Sequence, residues 1–104
     1  MKHCILVKLI PEVTKKIQIS FMEQLQELFD NCKEIEGIHG VKIFKSTTGR
    51  DDSADIMIEL DMERGALEAF DKCETNFFWK KEYTRFIDTK LCFDYDSDKP
   101  FTKK

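Results

Sequence analysis

The sequence lacks long hydrophobic runs and blocks of basic residues, and each absence excludes a class of protein. Its longest apolar runs hold about five residues, against the roughly 20 that a transmembrane helix requires. Seventeen basic and twenty acidic side chains give a net charge of −3, without a basic block that would follow nucleic-acid phosphates. The first residues, Met-Lys-His-Cys-Ile, contain no apolar leader. We therefore expect a cytoplasmic protein without a membrane or nucleic-acid partner.

The motifs of common catalytic centres are also missing. The four cysteines are far apart and the two histidines stand alone, so no spacing typical of a zinc site occurs. The cysteines are Cys4, Cys32, Cys73 and Cys92. No serine-hydrolase order, glycine-rich phosphate loop or H-E-x-x-H motif is present. We expect reduced thiols, no metal and no cofactor; the Asp51-Asp52 pair could attract Mg²⁺, but acidic turns are usually solvated.

The chain does contain enough apolar mass for one core. Of its 104 residues 41% are hydrophobic, and nine are Phe. This composition predicts a single domain over residues 1–96. Residues 97–104 show no hydrophobic period, which predicts a flexible C-terminal tail.

The spacing of apolar residues predicts four strands and three helical segments. Alternating or continuous apolar residues predict strands over residues 2–10, 41–45, 54–61 and 89–95. Apolar spacings of three and four predict an amphipathic helix that Thr14 caps and Gly37 ends. Shorter helical segments are predicted over 62–71 and 77–86.

The resulting order, β-α-β-β-α-β, is that of the ferredoxin-like fold, an α+β arrangement. Right-handed crossovers predict the strand order 4-1-3-2, with every neighbouring pair antiparallel except strands one and three. Two helices would cover one face of the four-stranded sheet. An uncovered apolar face predicts that a second copy of the chain packs there, as a homodimer. Alternation along the strands places four apolar residues on this face: Leu6, Ile10, Phe44 and Met57. It places five further residues there: Cys4, Lys8, Glu59, Cys92 and Asp94.

Four segments together resemble the stress-responsive A/B barrel (Dabb) family of the dimeric α+β barrel superfamily. They are residues 2–9 (Lys-His-Cys-Ile-Leu-Val-Lys-Leu), 36–41 (Glu-Gly-Ile-His-Gly-Val), 66–70 (Ala-Leu-Glu-Ala-Phe) and 91–95 (Leu-Cys-Phe-Asp-Tyr). Their order and spacing agree with the predicted topology over nearly the whole chain. The resemblance implies a homodimer in which two sheets pack face to face into an α+β barrel.

The resemblance extends distantly to olivetolic acid cyclase, a plant enzyme that closes a linear polyketide by aldol condensation. It implies a pocket between sheet and helices, lined by a strand-one histidine, a helix-two tyrosine and a later histidine. His3 matches the strand-one histidine. Phe70 stands at the tyrosine position and Asn76 at the second histidine position, and neither can transfer a proton as the residue it replaces does.

Two hypotheses on function remain open. In the first, the chain binds or transforms a small apolar or aromatic ligand beside His3, which acts as a catalytic base or a polar anchor. In the second, His3 is an ordinary strand-end histidine and the aromatic residues are core packing, in a non-catalytic dimeric module related to stress. An open cavity of about 300 Å³ that reaches His3 would favour the first hypothesis. The predicted pocket walls are Phe70, Asn76, Trp79, Tyr83 and Phe86.

Overall fold

The structure is a computed structural model that describes residues 1–103. It contains one sheet of four strands in the order β2-β3-β1-β4. The strands are β1 (Lys2–Leu9), β2 (Ile38–Lys45), β3 (Ile56–Met62) and β4 (Ile87–Tyr95). This is the predicted order 4-1-3-2 read from the other edge, and the ferredoxin-like prediction is confirmed. The last residue of the tail predicted over 97–104 lies outside the described residues.

The pairing of β1 with β3 differs from the prediction, because these strands are antiparallel like the other two pairs. After helix α1 (Lys15–Asp30) the chain returns in β2 along the direction of β1. β3 then reverses the direction of β2, so it must run against β1.

Three helices lie on one face of the sheet, and two of them are short. They are α1, α2 (Leu67–Asp71) and α3 (Glu74–Tyr83). Single 3-10 turns follow α1 (Asn31–Glu34), precede α2 (Arg64–Ala66) and follow α3 (Thr84–Phe86). The helix predicted over 62–71 begins later than expected, because the Met62 N–H donates to the Met1 carbonyl at 2.9 Å and prolongs β3.

The core lies between the helices and the sheet. Alternate residues of β1 and β3 point towards the helices and are almost fully buried. They pack against the buried stripe of α1. The residues are Ile5, Val7 and Leu9 of β1, Ile56, Ile58 and Leu60 of β3, and Phe21, Leu25 and Phe29 of α1.

The opposite side of the sheet carries no helix, and we call it the open face. Residues paired across antiparallel strands share a face, so Leu6 lies beside Met57 and Leu91 there. Phe44 pairs with Met57 and also belongs to this face. Phe44 and Leu91 are exposed, as is Phe93 of β4.

Three residues lie on the opposite side of the sheet from their predicted position. Ile10 follows the end of β1 and packs against the helical core, because the strand register shifts between Lys8 and Leu9. Asp94 pairs with His3 and Cys92 pairs with Ile5, so both lie on the helix side. Cys92 is therefore not on the face of Cys4, and all four cysteines are free thiols.

Candidate functional site

His3 is a buried residue of β1 that contacts one carboxylate and one aromatic ring. Its Nδ1–H donates a hydrogen bond to the Asp94 carboxylate, which the register places directly across the strand pair. Its ring meets Phe70 edge-on, with the two centroids 5.4 Å apart. A carboxylate on Nδ1 fixes the tautomer and the orientation of an imidazole. Half of the Asp94 side chain is open to solvent, so the pair lies at the edge of the core.

Asp94 is the site residue that the sequence reasoning missed. The alternation of β4 is correct, but the face that carries Leu91 and Phe93 is the open one and not the core. Apolar alternation on a strand cannot distinguish a core from an uncovered face. The pairing of β1 with β4, with Lys2 opposite Tyr95, is the observation that identifies Asp94.

Fully buried aromatic rings fill the space next to His3. Phe70 stacks on Phe29 with centroids 6.4 Å apart, and Phe29 meets Trp79 at 5.6 Å. Trp79 lies 5.5 Å from Tyr83 at the far end of this series. Five cavities of residues 1–103, with volumes of about 230–390 Å³, are lined by residues other than His3, Phe70 and Trp79. The His3 ring therefore packs against Phe70, and the pocket beside it stays a prediction.

Asn76 is buried and joins two helices. Its Nδ2 donates to the Asp71 carbonyl at 3.2 Å, and its backbone N–H donates to Cys73 Sγ at 3.4 Å. Cys73 is the residue that caps the N-terminus of α3. Asn76 thus holds the end of α2 to the start of α3 and does not face a cavity with His3.

Tyr83 and Phe86 lie elsewhere, in the wall of an apolar groove of about 260 Å³. Phe21 lies between their rings, 5.4 Å from Tyr83 and 5.8 Å from Phe86. Burial, and then the neighbouring Glu82 carboxylate, raises the pKa of Tyr83, so its hydroxyl remains a donor at neutral pH. The other apolar residues of the groove come from the connection between β1 and α1 and from the start of α1: Ile10, Val13 and Ile17.

The structure thus divides the six predicted site residues into three groups. His3 and Phe70 lie at one end of the core, Trp79 and Asn76 are buried between the helices, and Tyr83 and Phe86 line the groove.

The acidic turn after β2 forms its own contacts. Asp52 pairs with Arg50 at 2.9 Å, and Asp55 accepts the Leu9 N–H at 2.8 Å.

Across residues 1–103 no group of three metal-binding side chains occurs. Within the same range, no helix has the length and apolarity to cross a membrane. His39 is exposed and lies 3.9 Å from Glu63.

Comparison with known proteins identifies the fold. No family model and no curated protein matches the sequence. Among solved structures, the chain is similar to a dimeric protein of unknown function with a ferredoxin-like fold from Bacteroides fragilis. The TM-score is 0.72 at 15% identity, over 91% of this chain and 93% of that one.

Two further structures share this fold. A hydroxynitrile lyase from Passiflora edulis gives a TM-score of 0.71 at 13% identity, over 97% of this chain and 95% of that one. A Dabb family protein from Mesorhizobium loti gives 0.58 at 14% identity, over 97% and 96% of the two chains. The chain therefore has a ferredoxin-like fold.

Proposed function

We propose that the protein is a Dabb-type homodimer that binds a small apolar or aromatic molecule in the groove between α1 and the end of α3. The observation that carries the proposal is the groove lined by Tyr83 and Phe86. It combines aromatic and aliphatic walls with one phenolic hydroxyl, and ligand sites commonly have this composition. We expect this protein to act in the cytoplasm, as the sequence predicts.

The groove is a better ligand site than the surroundings of His3. It is open, whereas the rings of Phe70, Phe29 and Trp79 fill the space beside His3. Gln24 and Glu12 line the same groove and would supply polar contacts at its rim. The Passiflora neighbour is a hydroxynitrile lyase, which gives one precedent for small-molecule chemistry on this fold.

The homodimer is supported by the open face. Leu6, Phe44 and Met57 would pack against their copies in a second sheet, which removes apolar surface from water. Some charges of this face already have partners: Lys2 lies 3.9 Å from Glu59, and the Tyr95 hydroxyl donates to Glu59 at 3.4 Å. Paired charges can be covered at a lower desolvation cost than isolated ones. The Bacteroides neighbour is dimeric, which agrees with this arrangement.

Ligand titration monitored by NMR tests the groove. Mandelonitrile, a hydroxynitrile with an aromatic ring, is the first probe, and 2-naphthol is the second. We expect saturable shifts at Tyr83 and Phe86. Ile17→Arg should abolish them, because Ile17 lines the groove and is 51% exposed. Ile19→Arg is the matched control, since Ile19 is 57% exposed on the same helix and does not line the groove.

The second candidate is a non-catalytic dimeric module with a filled core. The complete burial of Phe70, which meets the His3 ring, and of Trp79 further along the core favours it. Absence of saturable binding by either probe, together with a stable dimer, would support this candidate over the first. Release of benzaldehyde from mandelonitrile that His3→Ala abolishes would instead assign His3 a catalytic role.

A further inference from the structure

A polar cavity of about 230 Å³ lies between the start of α1 and the loop that follows β2. It is separate from the apolar groove, which lies on another flank of α1. Lys15 and Gln18 line it from the helix, and Lys45 and Thr48 line it from the end of β2 and the loop. Neither the proposed ligand nor the dimer accounts for these residues.

Gln18 is the most informative residue of the cavity. It is only 9% exposed, yet its side-chain amide takes part in none of the hydrogen bonds found among residues 1–103. Every fully buried side-chain N or O in this range has a hydrogen-bond partner. The Gln18 amide has none, so it is not fully enclosed and remains accessible through the cavity that it lines. Buried amides normally have hydrogen-bond partners. The position of Gln18 therefore points to a polar ligand.

The N-terminus of α1 lies beside the cavity and carries no acid in its first turn. The Thr14 side chain makes no capping hydrogen bond, and the first turn holds no acidic residue. The N–H groups of the first turn have no acceptor within the helix and carry partial positive charge. Such an end favours an anion.

Two lysines make the cavity positive. Neither Lys15 nor Lys45 belongs to an ion pair among residues 1–103. Asp55 is the acidic residue of the lining, and one of its oxygens already accepts the Leu9 N–H. The lining therefore has an excess of one positive charge in a chain whose net charge is −3.

The loop is shaped to approach the helix. Gly49 adopts a φ of +63°, and a Cβ placed there would lie 3.8 Å from Lys15 Nζ. The N–H groups of Thr48 and Gly49 both point to Ser46 Oγ, at 3.3 Å each. These long hydrogen bonds leave hydroxyl and amide donors that a stronger acceptor could attract.

From these observations we propose that the cavity binds the phosphate group of a small molecule. A phosphate offers four oxygens to donors on several sides. Here they come from two ammonium groups, the Gln18 amide and the loop hydroxyls, beside the N-terminus of α1. The volume of about 230 Å³ accommodates the phosphate and part of the molecule that carries it, and the remainder would extend outwards.

Titration of the full chain with sodium phosphate, at ionic strength held constant with sodium chloride, tests the site. We expect saturable NMR shifts at the Gln18 side-chain amide and the Gly49 N–H. Lys45→Ala and Gln18→Leu should each weaken binding about tenfold, because each removes a donor to a charged acceptor. Lys42→Ala and Lys16→Ala are the matched controls, since both lysines lie outside the lining, and they should bind as the unaltered chain does.

A second arm with glycerol 3-phosphate distinguishes a phosphate monoester from free phosphate. Tighter binding of the ester identifies a phosphorylated metabolite as the ligand, and equal binding identifies inorganic phosphate. Shifts that fail to saturate, or that Lys45→Ala and Gln18→Leu leave unchanged, overturn the proposal. The result is independent of the apolar groove, whose variant Ile17→Arg should retain phosphate binding.

Discussion

At the scale of single residues, the contact between His3 and Asp94 depends on strand register and on the burial of His3. Because β1 and β4 are antiparallel, one pairing determines which carboxylate meets the imidazole. The contact orients His3 against Phe70 and completes the core at the edge of the sheet. In this structure the pair of His3 and Asp94 has a packing role.

The packing role predicts a loss of stability when His3 is truncated. His3→Ala should lower the free energy of unfolding by about 2 kcal/mol, since it removes the contact with Phe70 and leaves Asp94 without its donor. Asp94→Asn keeps an acceptor oxygen and should lower it by less than about 1 kcal/mol. Urea unfolding of the two variants measures both values. Equal losses, or no loss in His3→Ala, would contradict the packing role.

Cys32 gives a prediction on pH dependence. Burial, with a smaller contribution from the neighbouring Cys73, raises the pKa of the Cys32 thiol to about 12 from an ordinary value of 9.0. The unfolded chain therefore ionises this thiol at a lower pH than the folded chain does. Its contribution to stability is complete below pH 9.0 and is lost as the pH rises towards about 12.

Comparison with Cys32→Ala isolates this contribution from other groups that titrate at alkaline pH. The difference in the free energy of unfolding between the unaltered chain and the variant should be constant below pH 9.0 and decrease above it. Urea unfolding across this range measures the difference. Parallel curves for the two proteins would show that the Cys32 pKa is not raised by folding.

At the scale of elements, the turn that leads from α1 into β2 depends on one glycine. Gly37 has a φ of +92°, and a Cβ added there would lie 3.0 Å from the Ala66 side chain. The Gly37 carbonyl also accepts the Glu63 N–H at 2.7 Å, which ties this turn to the end of β3. The turn therefore determines where β2 enters the sheet.

Gly37→Ala should lower the free energy of unfolding by about 1–2 kcal/mol, through the left-handed backbone and the contact with Ala66. Gly65→Ala is the control, because a Cβ at Gly65 meets no atom within 4 Å. Thermal unfolding should show a clear decrease of the melting temperature for the first variant and little change for the second. Similar melting temperatures would mean that the loop adjusts without strain.

The elements show how far sequence patterns determine this fold. The periods of two and 3.6 residues predict all four strands and α1, because the core selects for those spacings. They do not predict that β2 begins as early as Ile38 or that β3 extends to Met62, since these ends depend on hydrogen bonds to distant residues. They also do not predict which face of β4 points to the helices, because the apolar side chains of this strand lie on the open face. The separation of His3 from Tyr83 follows from side-chain packing between distant segments, and the spacing of residues within one segment does not predict it.

At the scale of the whole molecule, the chain is a thin slab with extents of 40 × 39 × 17 Å. One layer of helices covers one layer of strands, and the open face retains exposed Phe44, Leu91 and Phe93. Contiguous apolar surface of this kind usually marks an interaction site. The proposed homodimer would give each sheet a second covering layer.

Substitution of Phe93 tests the dimer with little effect on the fold, because its side chain is 60% exposed in the single chain. Phe93→Asp should shift the protein to monomers, since a carboxylate would then face the partner sheet without a partner charge. Ile19→Asp is the matched control: Ile19 is 57% exposed, lies on α1 and is remote from the open face. Sedimentation velocity at micromolar concentration should show dimers for the unaltered chain and for Ile19→Asp. Monomers in all three samples would contradict the homodimer, and dimers in all three would place the interface on another surface.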